Sequence, residues 1–344
     1  MLKHSFYNDY SEGAHPRLLE ILAQTNYAQE SGYGEDGLSR QAVELIQQAL
    51  GSPQAAVHFV SGGTQTNMIA LAAALKPYES VIGAETAHIH VHEAGAVEAT
   101  GHKINIVPTP DGKLTPVMVA AVCAQHTDEH MVKPRVVFIS NASEVGTIYT
   151  KSELEQLSQV CRAQGLYLYM DGARLGSALA SPQSDLTLAD LARLLDMFYI
   201  GGTKNGALLG EALVITNPAL QADFRYHLKQ HGALLAKGRL LGSQFLGLFE
   251  GDLYFELARQ ANRMSLKLAE AISGLGFGFL APPATNQLFP ILPDGLIAAL
   301  QAEYGFYIWS RVNAERSAIR LVTSWATPEA KVDEFIADLR RLTA

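Results

Sequence analysis

The chain has 344 residues, 26 Lys and Arg against 34 Asp and Glu, and a net charge of −8. That length suggests about two domains at roughly 150 residues each, and 48% hydrophobic residues exclude a disordered chain. The acidic balance argues against a nucleic-acid or anionic-membrane surface.

Charged residues are only 17% of the chain, against about 25% in ordinary soluble proteins. The shortfall predicts a homo-oligomer with surface buried against another subunit. No apolar run nears the ~18 residues of a membrane span. Met1-Leu2-Lys3-His4-Ser5 has no apolar stretch of signal-peptide type. Cys123 and Cys161 are isolated, which fits a reducing cytosol and predicts a cytoplasmic protein.

In chain order, Ala55–Val60 reads as a buried strand, followed by the turn Ser61-Gly62-Gly63-Thr64 and a helix over Asn67–Leu75. Ser80–Gly83 and Ile104–Pro108 read as strands, and Thr115–Gln125 as a helix. Arg135–Ser140 is a strand, and Ser152 a plausible helix cap. Leu166–Asp171 is a strand ending on an acid; Met197–Ile200 and Ala212–Ile215 bracket a Gly-rich segment. Pro218–Leu275 is largely helical. Gly276–Leu280, Gln287–Phe289 and Ala318–Val322 then read as strands, with helices near Ile297–Tyr304 and Pro328–Leu342. Strands alternating with helices predict an α/β fold with a mostly parallel sheet covered on both faces. We expect a large domain over 1–250, with the N-terminal segment, and a smaller C-terminal α/β domain over 251–344.

Three features carry chemistry. Gly62-Gly63-Thr64-Gln65-Thr66 lies between strand and helix, where glycines and a helix N-terminus can hold an anion. A tight turn with a Thr cap is the other reading. Asp171 ends a buried strand, where α/β sheets place ligands, and needs a cationic partner there. A protonated pyridine nitrogen would serve, and so would Arg174. Lys204, in Gly201-Gly202-Thr203-Lys204-Asn205-Gly206, is either a solvated turn lysine or an amine whose pKa is lowered by apolar walls. Together the three describe a pyridoxal phosphate site: helix end for phosphate, carboxylate for the ring nitrogen, lysine for the aldehyde.

These residues carry a resemblance. The chain resembles the threonine aldolase and β-eliminating lyase group of fold-type-I pyridoxal phosphate enzymes. The match runs through Asn8-Asp9, Tyr33-Gly34-Glu35-Asp36, Gly63–Asn67, Ala87-His88 with Glu93-Ala94-Gly95, Asp171-Gly172-Ala173-Arg174-Leu175, Thr285-Asn286 and Ile319–Thr323. The resemblance implies a covalent cofactor link to Lys204 and Asp171 on the ring nitrogen. Gly63, Thr64, Gln65 and Thr203 would hold the phosphate. His88 would stack on the ring and serve as base for the substrate β-hydroxyl. Arg174 would lie at the cofactor and, with Arg320 and Asn8, grip the substrate carboxylate.

The implied reaction is cleavage of a β-hydroxy-α-amino acid, threonine or allo-threonine giving glycine and acetaldehyde. β-Elimination to a keto acid and ammonia, or transamination, are the alternatives. Ser143 stands where the family commonly has a second histidine, and Asn8-Asp9 replaces its usual Ser-Asp. Family members are commonly tetramers, so the resemblance implies a dimer or tetramer with shared sites, for which Tyr33, Lys237 and Arg239 are candidates by position. His88-Ile89-His90-Val91-His92 could face a metal, but the resemblance gives His90 and His92 no metal role, and none is expected.

Overall fold

The computed structural model describes residues 2–343. Met1 and Ala344, the outer ends of the two expected domains, lie outside the described residues. Strand β1 (His4–Ser5) is followed by helices α1 (Pro16–Thr25) and α2 (Gly37–Leu50). Then come β2 (Ala56–Val60), α3 (Gly63–Ala74), β3 (Glu79–Ala84), the single turn α4 (His88–Val91), β4 (Lys103–Val107) and α5 (Pro116–Gln125). The middle of the chain forms β5 (Lys133–Ser140), α6 (Lys151–Gln164), β6 (Tyr167–Asp171), α7 (Leu175–Leu179), α8 (Leu188–Leu194), β7 (Met197–Gly201) and β8 (Glu211–Ile215). Helices α9 (Phe224–Gln230), α10 (Arg239–Phe249) and α11 (Leu253–Gly274) lead to β9 (Gln287–Leu288), β10 (Ile291–Pro293) and α12 (Asp294–Gln301). β11 (Tyr304–Gly305), β12 (Tyr307–Arg311), β13 (Arg316–Val322) and α13 (Glu329–Thr343) complete the fold.

The large sheet has the order β2-β8-β7-β6-β5-β3-β4. Only β8 runs against the others, pairing antiparallel with β2 and β7. Alternation of side chains across a strand splits the apolar residues between two faces. Val137, Leu168, Phe198 and Val214 join α2, α6, α8 and α10 in one core. Phe138, Tyr169, Tyr199 and Leu213 join α3 and α9 in another. This is the expected α/β arrangement: near-continuous apolar strands need cover on both sides.

A second, antiparallel sheet joins β10, β13 and β12, with β9 also on β13. Its core draws on Met264 and Leu268 of α11, Phe335 and Leu339 of α13, and Phe6 from the N-terminus. β1 pairs with β11, which carries Phe6 into that core.

Three local expectations are corrected. Gly276–Leu280 forms no strand; only Phe279 bridges to Pro290. The α6 cap is Thr150, not Ser152, because Thr150 and Glu153 form a reciprocal capping box. Helix α3 begins at Gly63, ahead of the expected Asn67, so the glycine turn is itself the first helical turn.

Candidate active site

The carboxyl ends of the parallel strands and the start of β8 open on a cavity of about 660 Å³. Residues following β2, β3, β5, β6 and β7 all reach it, as do the rim residues Tyr10, Tyr307, Trp309 and Arg320. Ligands in open α/β sheets bind at this edge.

At one end lies the start of α3. Its first helical bond runs from the Thr66 N–H to the Gly62 carbonyl at 3.0 Å. The N–H groups of Gly63, Thr64 and Gln65 therefore precede any intrahelical acceptor and are free for an anion. A Cβ at Gly63 would stand 3.1 Å from the Tyr199 hydroxyl, so a larger residue would crowd that group. Ser61, Thr64 and Thr203 line the same end. The Gln65 side chain does not take part as expected. It accepts from Ser61 Oγ at 2.7 Å and donates to the His231 carbonyl at 3.0 Å, leaving Gln65 only its backbone N–H for a ligand.

Asp171 sits at the end of β6, 4% exposed, and the structure brings three donors to it. Its Oδ1 accepts from the Tyr199 hydroxyl at 2.5 Å and the Ala173 N–H at 3.0 Å; its Oδ2 accepts from Asn67 Nδ2 at 2.9 Å. These three donors fix the carboxylate's orientation at the cavity wall. Gly172 follows because a Cβ there would fall 1.8 Å from the Tyr199 carbonyl.

Lys204 follows β7 in the turn that reverses into β8. Its amine lies 6.0 Å from the Tyr10 ring centroid, and burial, with Arg174 nearby, holds its pKa below the ordinary lysine value. An amine so placed is readily uncharged and nucleophilic. The solvated turn lysine is thereby excluded.

His88 opens α4, with Nδ1 2.8 Å from Glu93 Oε1. Burial opposes charge on this imidazole. The Glu93 hydrogen bond and the Glu144 and Asp171 charges outweigh it and raise the His88 pKa above 6.5. Burial raises the Glu93 carboxyl too, against its hydrogen bonds to His88 and Asn67. Asn67 links the two acids: its Nδ2 donates to Glu93 at 2.7 Å as well as to Asp171, and its Oδ1 accepts from Tyr169 at 2.8 Å.

His88, Glu93 and Asp171 bring ligand atoms within 4.8 Å of one another. Asn67 and His88 both bond Glu93 Oε1, and Asn67 also bonds Asp171 Oδ2, while Glu93 Oε2 is buried without a partner among the described residues. His88 and His92 share a face of the helical turn, with ring centroids 5.4 Å apart.

Arg174 does not pair with Asp171. Its Nε and Nη2 donate to the two oxygens of Asp9 at 2.7 and 3.0 Å, deep in the protein. Asn286 donates to the same carboxylate at 2.9 Å. Arg320 donates from Nη2 to the Tyr7 carbonyl at 3.2 Å, while its buried Nε has no partner. The guanidinium lies over Tyr307 and Trp309, 5.3 and 5.4 Å from their ring centroids.

Asn8 is outside the cavity lining, contrary to expectation. Its Oδ1 accepts from the Tyr10 N–H and the Ser11 hydroxyl, closing an N-terminal turn. The neighbouring Asp9 faces inward instead. Tyr33, Lys237 and Arg239 are likewise outside the lining of this chain's cavity. Arg239 donates to the carbonyls of Asn26 and Ala28. Ser143 bonds to Thr147, and its neighbour Glu144 lines the cavity.

Sequence reasoning gave no role to Asp9, Asn67, Glu93, Glu144, Tyr199 or Glu211. Asn67 carried a signal, being a polar residue one helical turn beyond the glycines. Tyr199 and Glu211 carried none, since each lies within an apolar run.

Residues 13–294 match the family model described as beta-eliminating lyase. The chain is 35% identical to a low specificity L-threonine aldolase of Pseudomonas aeruginosa over 97% of its own length and 96% of that protein. A protein of the same name from Pseudomonas sp. is 34% identical with the same coverage. The solved threonine aldolase of Leishmania major superposes with a TM-score of 0.98 at 50% identity, covering 99% of this chain and 100% of that one. An aspartate aminotransferase of Thermus thermophilus shares the fold at a TM-score of 0.73 and 17% identity, covering 99% of this chain and 91% of that one. With a matched model spanning most of its length and a helix end, a carboxylate and an amine converging on one cavity, the chain belongs to the beta-eliminating lyase family.

Proposed function

We propose that this protein is a pyridoxal-phosphate-dependent aldolase that cleaves β-hydroxy-α-amino acids, L-threonine and L-allo-threonine among them, to glycine and an aldehyde. The observation that carries this reading is the meeting of the α3 N-terminus, Asp171 and Lys204 in one cavity. The donor set fits the cofactor: free N–H groups for phosphate, a carboxyl group for a ring nitrogen, and an unpaired amine for an aldehyde.

When bound, the cofactor supplies a conjugated ring that accepts the electron pair left as the Cα–Cβ bond breaks. Asp171 keeps the ring nitrogen protonated, held by Tyr199, Asn67 and Ala173. Lys204 would hold the cofactor aldehyde, and its lowered pKa favours the uncharged amine that this role needs. Arg320 takes the substrate carboxylate: its Nε is already stripped of water and lacks an acceptor. Arg174, clamped by Asp9, presents its remaining N–H groups to the same site. His88 faces Glu93 through Nδ1, which leaves Nε2 to remove the β-hydroxyl proton. Thr203 lines the phosphate end, its hydroxyl accepting from the Gly210 N–H at 2.9 Å.

Incubation with threonine, allo-threonine, phenylserine and serine, with product identification, tests the reaction. Glycine and an aldehyde are expected; a keto acid with ammonia marks β-elimination, and dependence on an added keto acid marks transamination. Borohydride should trap the cofactor on Lys204, and Lys204→Ala should abolish that capture. Capture at another lysine would refute the assignment.

We also read the protein as a cytoplasmic homo-oligomer, a dimer or tetramer with sites shared between subunits. The two free cysteines support the compartment. No described helix is long and apolar enough to cross a membrane.

A further inference from the structure

Glu211 is an acid in the wrong place for an ordinary carboxylate. It starts β8, in register with Val60 on one side and Gly201 on the other. Those residues lead directly into the glycine turn of α3 and the Thr203-Lys204 turn, so Glu211 stands between the two segments that form the anion end of the cavity. It lines that cavity while being 4% exposed as a residue. The Gly202 N–H donates to its Oε2 at 3.1 Å, which fixes the carboxyl in place. The remaining lining of this end is neutral: Ser61, Gly62, Gly63, Thr64 and Thr203. An ionised carboxylate here would repel a phosphate, whereas a carboxylic acid would offer it one more O–H donor.

We propose that Glu211 is a hydrogen-bond donor of the phosphate site, its carboxyl keeping a proton that it directs to a phosphate oxygen of the cofactor. This rests on the cofactor reading above. Burial supports it: it pushes the Glu211 carboxyl up to about 8, against the Thr203 hydroxyl, Lys204 and the Gly202 N–H, which favour the anion. The other titratable groups around it are Asp171 at the end of β6, Tyr169 and Tyr199 on the sheet, and Tyr254 on α11. Asp171 disfavours a second negative charge, and burial keeps all three phenols protonated.

The consequence is a linkage between pH and phosphate recognition. Above about pH 8 the empty site holds an ionised Glu211, which must regain a proton before it can donate. Affinity for the phosphorylated cofactor should then fall by up to about tenfold per pH unit. Pyridoxal, which lacks the phosphate, should escape this penalty while sharing every effect of Lys204 titration. The decisive quantity is therefore the ratio of the pyridoxal Kd to the pyridoxal phosphate Kd on cofactor-stripped full-length protein, from pH 7 to 9.5. This range lies above the second phosphate pKa of about 6.

We expect the ratio to be level near pH 7 and to fall above about 8. In Glu211→Gln, whose amide donates without titrating, it should stay level throughout. A wild-type ratio that stays level, or a Gln variant that falls in parallel with wild type, overturns the proposal. Should the variant not fold, proton uptake on binding pyridoxal phosphate to the wild type near pH 8.5, by calorimetry in buffers of different ionisation enthalpy, decides it. Uptake exceeding that with pyridoxal supports the donor, and equal uptake refutes it. Absence of saturable binding by either compound would instead overturn the cofactor reading, and this proposal with it.

Discussion

At the scale of single residues, the site is defined by how each charge is balanced. His88 gains basicity from Glu93 although burial opposes it. As a base it must be neutral, so kcat/KM should fall as pH drops through a value above 6.5. Glu93→Gln removes the anionic partner and should move that acid limb to lower pH; an unmoved limb would exclude Glu93 from setting the His88 proton. Arg174 and Asp9 form the opposite case, a buried ion pair with both charges satisfied. Burial alone would raise the Asp9 carboxyl, but Arg174 and Lys204 more than offset it and hold it below the usual carboxylate range. Its stabilising contribution is thus present above the unfolded pKa of about 4 and lost as pH falls through the lower folded value. Arg174→Met strands Asp9 in the interior and should cost about 3–5 kcal/mol. Thermal melting at neutral pH would show this, and an unchanged Tm would mean that Asp9 finds another partner.

At the scale of elements, helix ends do much of the positioning. The α3 N-terminus is placed by the antiparallel return of β8, which sets Val60 beside Glu211 and Gly201. Helix α6, behind the sheet, begins with the Thr150 and Glu153 capping box. Thr150→Ala should therefore destabilise by about 1 kcal/mol in urea unfolding. Ser152, whose hydroxyl only accepts from the exposed Gln156 amide at 3.2 Å, should change stability by less than about 0.5 kcal/mol when replaced by Ala. Equal effects at the two positions would contradict the cap. The single turn α4 likewise decides which histidines share a face, pairing His88 with His92 and sending His90 to solvent.

At the scale of the whole molecule, two bodies of different architecture meet at the site. The sheet edge supplies Asp171 and Lys204, while β12 and β13 supply Tyr307, Trp309 and Arg320. We propose a division into 1–250 and 251–344, with Phe6 crossing into the core of the second part. The low charge content, 17% of residues, points to surface buried against another copy. Light scattering at working concentration should return a multiple of the 37.2 kDa chain mass. A monomeric mass with full activity would remove the shared-site reading.

Much of this was legible along the chain because it is local. Apolar runs of five or six residues make buried strands wherever they fall, and a Gly-Gly-Thr turn before a helix presents free N–H groups by backbone geometry alone. The order of turn, Asp171 and Lys204 followed from those runs. What the sequence did not contain was the partner of each charge. Arg174 is near Asp171 along the chain, yet it is Asp9, far away in sequence, that reaches its guanidinium, because β1 pairs with β11 and folds the N-terminus over the cavity. Gln65 and Asn8 have the right chemistry at the right positions, but neighbouring groups claim their side chains. Glu211 lies one residue ahead of the expected Ala212–Ile215 strand, and only the antiparallel pairing of β8 places it beside the glycine turn. Backbone conformation and hydrophobic pattern are set by near neighbours, so the sequence alone determined the strands and the helix end. Desolvation and ion pairing depend on groups brought together across the fold, so only the tertiary structure decided which of these side chains is charged, paired or free.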